Sequence, residues 1–159
     1  MAQEMPDQVT LRERLQSALT AAIRAQDPLR RDVLRLAQNA AYTIEKREHR
    51  ALTDDELLGV LTREVKTRRE SVEAYRAGAR EDLASKEEAE IEILREFLPE
   101  ALSEDEIRAL VAAAIAETGA ATPRDLGKVM GRLAPQTRGR ADGKLVSRLV
   151  NEALAGPGR

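Results

Sequence analysis

The residues best equipped for chemistry lie between Leu126 and Val150, in LGKVMGRLAPQTRGRADGKLVSRLV. Six basic side chains, Lys128, Arg132, Arg138, Arg140, Lys144 and Arg148, are interleaved there with Gly127, Gly131, Gly139 and Gly143. Lysine and arginine carry only donors and engage phosphate oxygens by charge and hydrogen bond. Glycine lacks the Cβ that would keep a ligand away from the backbone. The chemistry on offer is anion binding rather than bond making. Asp142 suits the N-cap of a helix, on which Lys144 and Arg148 fall one turn apart and share a face. A basic loop running onto a helix N-terminus can hold phosphate through side chains and free amides together. Gly127 and Gly131, also four apart, share a second helix face at a cost of about 1 kcal/mol each relative to alanine. Close packing of a neighbouring helix is the preferred explanation of that pair, and close approach of a ligand is the alternative. For the basic residues, a solvated surface competes with a phosphate site.

Catalytic constellations are harder to find. His49 is the sole histidine and sits in EKREHRALT, a polar helix end where a solvated imidazole is favoured by the C-terminal dipole. A nucleophilic triad needs a partnered histidine, and no such arrangement is visible. The acidic run from Glu87 to Ile93 places Glu88 and Glu92 on an exposed i,i+4 edge with Arg95 beyond, the pattern of a solvated face. GRADGKL superficially resembles a phosphate loop. It has three residues between glycines where the Walker pattern needs four, and Lys-Leu where it needs Lys-Ser or Lys-Thr. With no cysteine in the chain, disulfides and thiolate sites are excluded. No catalytic residue, metal ligand set or cofactor is expected.

The elements that must position the basic residues are helices. The 159 residues are 42% hydrophobic, 34% charged and only 2% aromatic, a mix rich in Ala, Glu, Leu and Arg. No apolar run approaches the roughly 18 residues of a membrane span. The first ten residues, MAQEMPDQVT, show neither a basic nor an apolar segment of a secretory signal, so no membrane partner and a cytoplasmic location are expected. Net charge is −2, but from residue 120 onward eight Lys/Arg face three Asp/Glu, against 18 and 25 before it. Such asymmetry suits a surface that meets an anion.

Thr10 with Glu13, Thr53 with Glu56 and Ser103 with Glu106 fit the S/T-x-x-E box that satisfies the free amides of a first helical turn. Asp27-Pro28 and Thr122-Pro123 fit an oxygen cap followed by proline. Helices are predicted over about 11–26, 28–49, 54–77, 80–98, 104–118, 123–134 and from 142 to just before the terminal GPGR. Gly78 and Gly119 are placed as left-handed caps after two of them. Leu57, Leu61, Val65, Arg68, Val72 and Tyr75 form one stripe of the third helix. Pro99 divides the chain. The expected architecture is all-α, with an N-terminal bundle of about four helices in 1–99 and a smaller three-helix C-terminal subdomain in 100–159.

The stretch DLGKVMGRLAPQTRGRADGKLVSRLVNEAL, Asp125 to Leu154, closely resembles the tail of the GatB/YqeY family. The pattern there is Gly-Lys-Val-Met-Gly, a short spacer, Gly-(Arg/Lys)-Ala-Asp and a Leu-Val-rich helix. LTREVKTRRESVEAYRAGAREDLASKEEAEIEILREFLPEALSEDEI, Leu61 to Ile107, is similar to free-standing YqeY-like proteins, so the resemblance runs from about Leu11 to Leu154. It implies a module like the all-helical tail that contacts tRNA in the amidotransferase subunit GatB. It also implies a carbon–nitrogen ligase label, with glutamine as amido-N donor, for which these residues supply no nucleophile and no nucleotide site. The leading expectation is a non-catalytic, translation-related module binding tRNA or another structured RNA by shape and phosphate, since stacking aromatics are nearly absent. Lys128, Arg132, Arg138, Arg140, Lys144 and Arg148 are its candidate contacts. The alternative is a module docking onto an amidotransferase or aminoacyl-tRNA synthetase.

Overall fold

A computed structural model describes residues 8–156; residues 1–7, most of the polar N-terminal stretch considered above, and 157–159 lie outside the description. Among the described residues the chain is all-α, with seven α-helices and no strand. It divides into two compact units, Met1–Leu98 and Pro99–Arg159.

The first unit holds α1 (Leu11–Arg24), α2 (Pro28–Glu48), α3 (Asp54–Ala77) and α4 (Glu81–Arg95). α1 and α3 open on reciprocal caps. The Thr10 amide donates to Glu13 at 2.8 Å, and the Thr53 amide donates to Glu56 at 2.9 Å. α2 opens on Asp27, whose carboxylate accepts the Arg30 amide at 3.0 Å, with Pro28 at the first helical position. Each helix turns one apolar stripe inward, and Leu15, Leu34, Leu61 and Leu94 are among the most deeply buried side chains. Burying a leucine contributes about 1.5–3 kcal/mol, so this shared core holds the unit together.

One charge lies within it. Arg68, on the apolar stripe of α3, is 7% exposed. Its guanidinium donates to Glu64 at 2.8 Å and to Glu90 of α4 at 2.9 Å. Burial opposes the charge, but the bonds to Glu64 and Glu90 outweigh it and hold the pKa above the usual arginine value. Arg68 thereby fastens α4 to α3.

The second unit holds α5 (Glu104–Thr118), α6 (Leu126–Thr137) and α7 (Gly143–Ala155), each packing on the other two. Ser103 and Glu106 cap the start of α5, and Gly119 ends it at φ 67. The core is Ile107, Val111, Ala114, Val129, Leu133, Val146, Leu149, Val150 and Leu154.

Several expected boundaries shift, each for a local reason. α1 stops at Arg24 because Gln26 turns left-handed, at φ 54, and the Asp27 amide reaches back to Ala22. α4 ends at Arg95, and the Phe97 and Leu98 amides close tighter turns on Leu94 and Arg95 ahead of Pro99. The left-handed residue after α3 is Ala79, at φ 56, and not Gly78, which stays at φ −88. Pro123–Asp125 is a single 3-10 turn, so α6 starts three residues later than Thr122-Pro123 suggested. A proline behind an oxygen cap suits either helix type equally, because neither needs that amide. The Asp125 carboxylate does the capping, accepting the Ala121 amide at 2.9 Å and the Thr122 amide at 3.1 Å. α6 also continues through Pro135 to Thr137 instead of stopping at 134. Proline there forfeits only one bond, to Gly131, and the Arg138 amide still reaches the Ala134 carbonyl at 3.1 Å.

Candidate functional site

The loop from 138 to 142 joins α6 to α7. A connection this short makes the two helices antiparallel neighbours. Val129, Leu133 and Thr137 form the inward face of α6, and Val146, Leu149, Val150 and Leu154 that of α7. The inward stripes leave Lys128 and Arg132 on the outside of α6, and Lys144 and Arg148 on the outside of α7. All four are exposed, as is Arg138.

The structure sorts these cations by what they touch. Arg132 pairs with Glu117 of α5 at 2.5 Å, and Arg148 with Glu152 at a longer 3.8 Å. Arg140 is a strut. Its Nε donates to the Glu100 carbonyl at 3.1 Å, and its own carbonyl accepts the Leu102 amide at 2.8 Å, so it ties the loop to the segment entering α5. Lys128, Arg138 and Lys144 make no side-chain ion pair or hydrogen bond among the described residues. Arg124, in the 3-10 turn, is exposed and equally unengaged, and it was missed as a candidate. Lys128 stands ten residues before Arg138, which caps the C-terminal end of the same helix, about 15 Å along its axis, so it belongs to the opposite end of the surface.

The helix N-terminus is less available than the sequence suggested. The Asp142 carboxylate accepts the Lys144 amide at 3.0 Å, putting a negative charge where a phosphate would otherwise meet the α7 amides. Phosphate binding therefore falls to the side chains.

The glycines correct a preferred reading. A Cβ built on Gly127, Gly131 or Gly143 meets nothing within 4 Å. No neighbouring helix packs on Gly127 and Gly131, so close helix approach does not explain them. Gly139 takes φ 72, which a left-handed turn between two arginines requires. The Gly131 carbonyl is also peculiar, because its usual i+4 donor is replaced by Pro135, which has no amide hydrogen.

Elsewhere the chemistry is sparse. His49 is the exposed left-handed C-cap of α2, at φ 56, and its amide donates to Glu45. Glu88 and Glu92 pair separately, with Arg76 at 2.7 Å and Arg95 at 3.0 Å. Among the described residues no group of three or more His, Cys, Asp or Glu could hold a metal, and no helix is long and apolar enough to cross a membrane. A shallow depression along α1, lined by Gln16, Ser17, Thr20, Ala21, Arg24 and Ala25, gathers no reactive set.

The family model described as Yqey-like protein matches residues 12–154, which spans both units and the whole basic surface. The chain belongs to the YqeY-like family. Altered inheritance of mitochondria protein 41, mitochondrial, from Pyrenophora tritici-repentis (strain Pt-1C-BFP), is 32% identical to this YqeY-like chain over 154 residues, covering 94% of the chain and 83% of that relative. An uncharacterized protein of Schizosaccharomyces pombe (strain 972 / ATCC 24843) is 48% identical over 48 residues, covering 30% of the chain and 39% of that relative.

Proposed function

We propose that this YqeY-like chain is a non-catalytic RNA-binding module, in which α6, α7 and the loop between them hold phosphates of tRNA or another structured RNA. The role fits tRNA-linked amidotransfer, through the likeness of the α6–α7 sequence to the tail of GatB. A cytoplasmic location belongs to the same proposal, although the Pyrenophora relative is named as mitochondrial.

The observation that carries the reading is a set of exposed, unengaged cations, Lys128, Arg138 and Lys144, beside glycines that face open space. Unpaired surface cations are what release counterions when a polyanion binds. Open glycine lets a sugar-phosphate chain approach the backbone.

The test is titration of tRNA at several salt concentrations with wild-type protein and an Arg138→Ala, Lys144→Ala variant. Weaker binding and a flatter salt dependence in the variant support the proposal. Unchanged binding moves the protein-docking alternative ahead.

A further inference from the structure

The first unit is acidic in sum, with 17 basic and 20 acidic residues in 1–98, yet one of its faces is cationic. On α2, Val33, Leu34, Ala37 and Ala41 point into the core. Arg35, Asn39, Tyr42 and Lys46 recur at four- and three-residue steps on the opposite side, over about 16 Å of helix. All four are exposed, Tyr42 by 57%.

The carboxylates of α2 are turned elsewhere. Glu45 caps the Leu52 amide at 2.9 Å and pairs with Arg12, while Glu48 pairs with Arg50 at 2.8 Å. Only Asp32 remains on this side, and it is bound to Arg31 at 2.7 Å. Its carboxyl is held below the usual range first by that hydrogen bond and then by the nearby charges of Arg35 and of Lys86 from α4. Arg31 alone pairs with that carboxylate, Arg35 and Lys86 act on it only through longer-range charge, and Lys46 adds a fourth cation with its ammonium 5.6 Å from the Tyr42 ring centroid. Summing charge along the chain hides this excess, because pairing removes the acids from the face.

We propose that the outer face of α2 binds unpaired nucleotides of an RNA, with Tyr42 stacking on a base and Arg35, Lys46 and Lys86 meeting phosphates along the same strand. This extends the RNA-binding reading to the first unit and rests on it. Cations alone would serve any acidic partner. An aromatic face set among them selects a base, because every base offers a π-face and the phosphates on either side need counter-charge. Paired RNA hides those faces, so the surface favours single-stranded loops and ends.

The chain has two tyrosines and no tryptophan, which supplies the probe. In the full-length Tyr75→Phe protein, Tyr42 is the sole tyrosine. Its emission is followed during titration with tRNA, with oligouridylate and with a fully paired RNA duplex. Saturable quenching is expected with tRNA and oligouridylate and not with the duplex. By gel shift, Tyr42→Ala should weaken tRNA and oligouridylate binding roughly fivefold to a hundredfold, whereas Tyr42→Phe retains it. An Arg35→Gln, Lys46→Gln variant should flatten the log-affinity against log-salt slope for oligouridylate by about 0.7 per charge. A tRNA shift with constant Tyr42 emission, and wild-type affinity in Tyr42→Ala, overturns the inference and leaves the α6–α7 surface standing. Equal quenching by a polyglutamate peptide overturns it in favour of an acidic protein partner. Loss of affinity in Tyr42→Ala with full affinity in Arg138→Ala, Lys144→Ala upholds the α2 face and removes the α6–α7 one.

Discussion

Replacing Arg68 by alanine removes the one charged side chain buried in the core of the first unit among the described residues. Arg68 makes two ion pairs and a further bond to the Glu64 carbonyl at 3.1 Å. Its loss strands the Glu90 and Glu64 carboxylates, whose side chains are 13% and 26% exposed. Removing one partner of a buried pair costs about 3–5 kcal/mol. The residual water access of both glutamates places this case at the lower end, about 3 kcal/mol. For a domain of this size that lowers Tm by roughly 12–24 °C. Adding Glu64→Gln and Glu90→Gln to Arg68→Met removes the stranded charges and keeps the apolar stem, so most of the loss should return. Tyr42 and Tyr75 both lie in the first unit, so tyrosine emission during urea or thermal unfolding reports on that unit alone. A cost below about 1 kcal/mol for Arg68→Ala would refute the account of Arg68 as the tie between α3 and α4. So would a triple variant no more stable than the single one.

Gly131→Ala faces open space, so it should stabilise the second unit by up to about 1 kcal/mol while weakening tRNA binding; destabilisation on melting would show that something does pack there. Arg140→Ala should cost about 1 kcal/mol by freeing the loop from Glu100, which makes Arg140 a poor probe of RNA contact, and an unchanged melt would contradict the strut. Acid should unfold the protein by a defined route. Arg50 and the Thr53 amide hold the Glu56 carboxyl down to about 2, and Glu96, Glu45 and Glu106 are lowered by Arg30, the Leu52 amide and the Ser103 amide. Stability from these groups is fully present above the ordinary glutamate pKa of about 4.3 and is lost as pH falls through their folded values. Tm should therefore drop between about pH 4.3 and pH 2, and a level Tm across that window would count against these contacts.

Much of the fold was legible because its signals are local. Thr10, Thr53 and Ser103 each contact a glutamate three residues on, so sequence spacing alone states the bond. Pro123 misled for the same reason, since its local pattern fits a 3-10 turn as well as a helix. What escaped the sequence depends on distant residues. Arg68 read as part of an apolar stripe, but its charge is accounted for by Glu90, 22 positions away. Gly127 and Gly131 carry no record of whether a helix lies over them, and the structure leaves them open. The candidate cations were visible as a charged run. Their division into engaged Arg132, Arg140 and Arg148 and unengaged Lys128, Arg138 and Lys144 needed Glu117, Glu100 and Glu152 in place.

The central claim is that the unengaged cations of the α6–α7 surface hold RNA phosphates. Its most direct test is the salt dependence of tRNA affinity for wild type, for Arg138→Ala with Lys144→Ala, and for Arg63→Ala with Arg76→Ala as the control in the first unit. Arg138 and Lys144 make no side-chain ion pair or hydrogen bond among the described residues, so their replacement alters stability by less than about 0.5 kcal/mol. Arg76 pairs with Glu81 and Glu88, so the control is compared after a melt shows that it is folded. The Arg138 and Lys144 variant should bind more weakly, with a slope of log affinity against log salt flatter by about 0.7–0.9 for each charge removed. The control should keep wild-type affinity and slope. Equal affinities and equal slopes for all three proteins would contradict the claim and leave that charge as solvated surface.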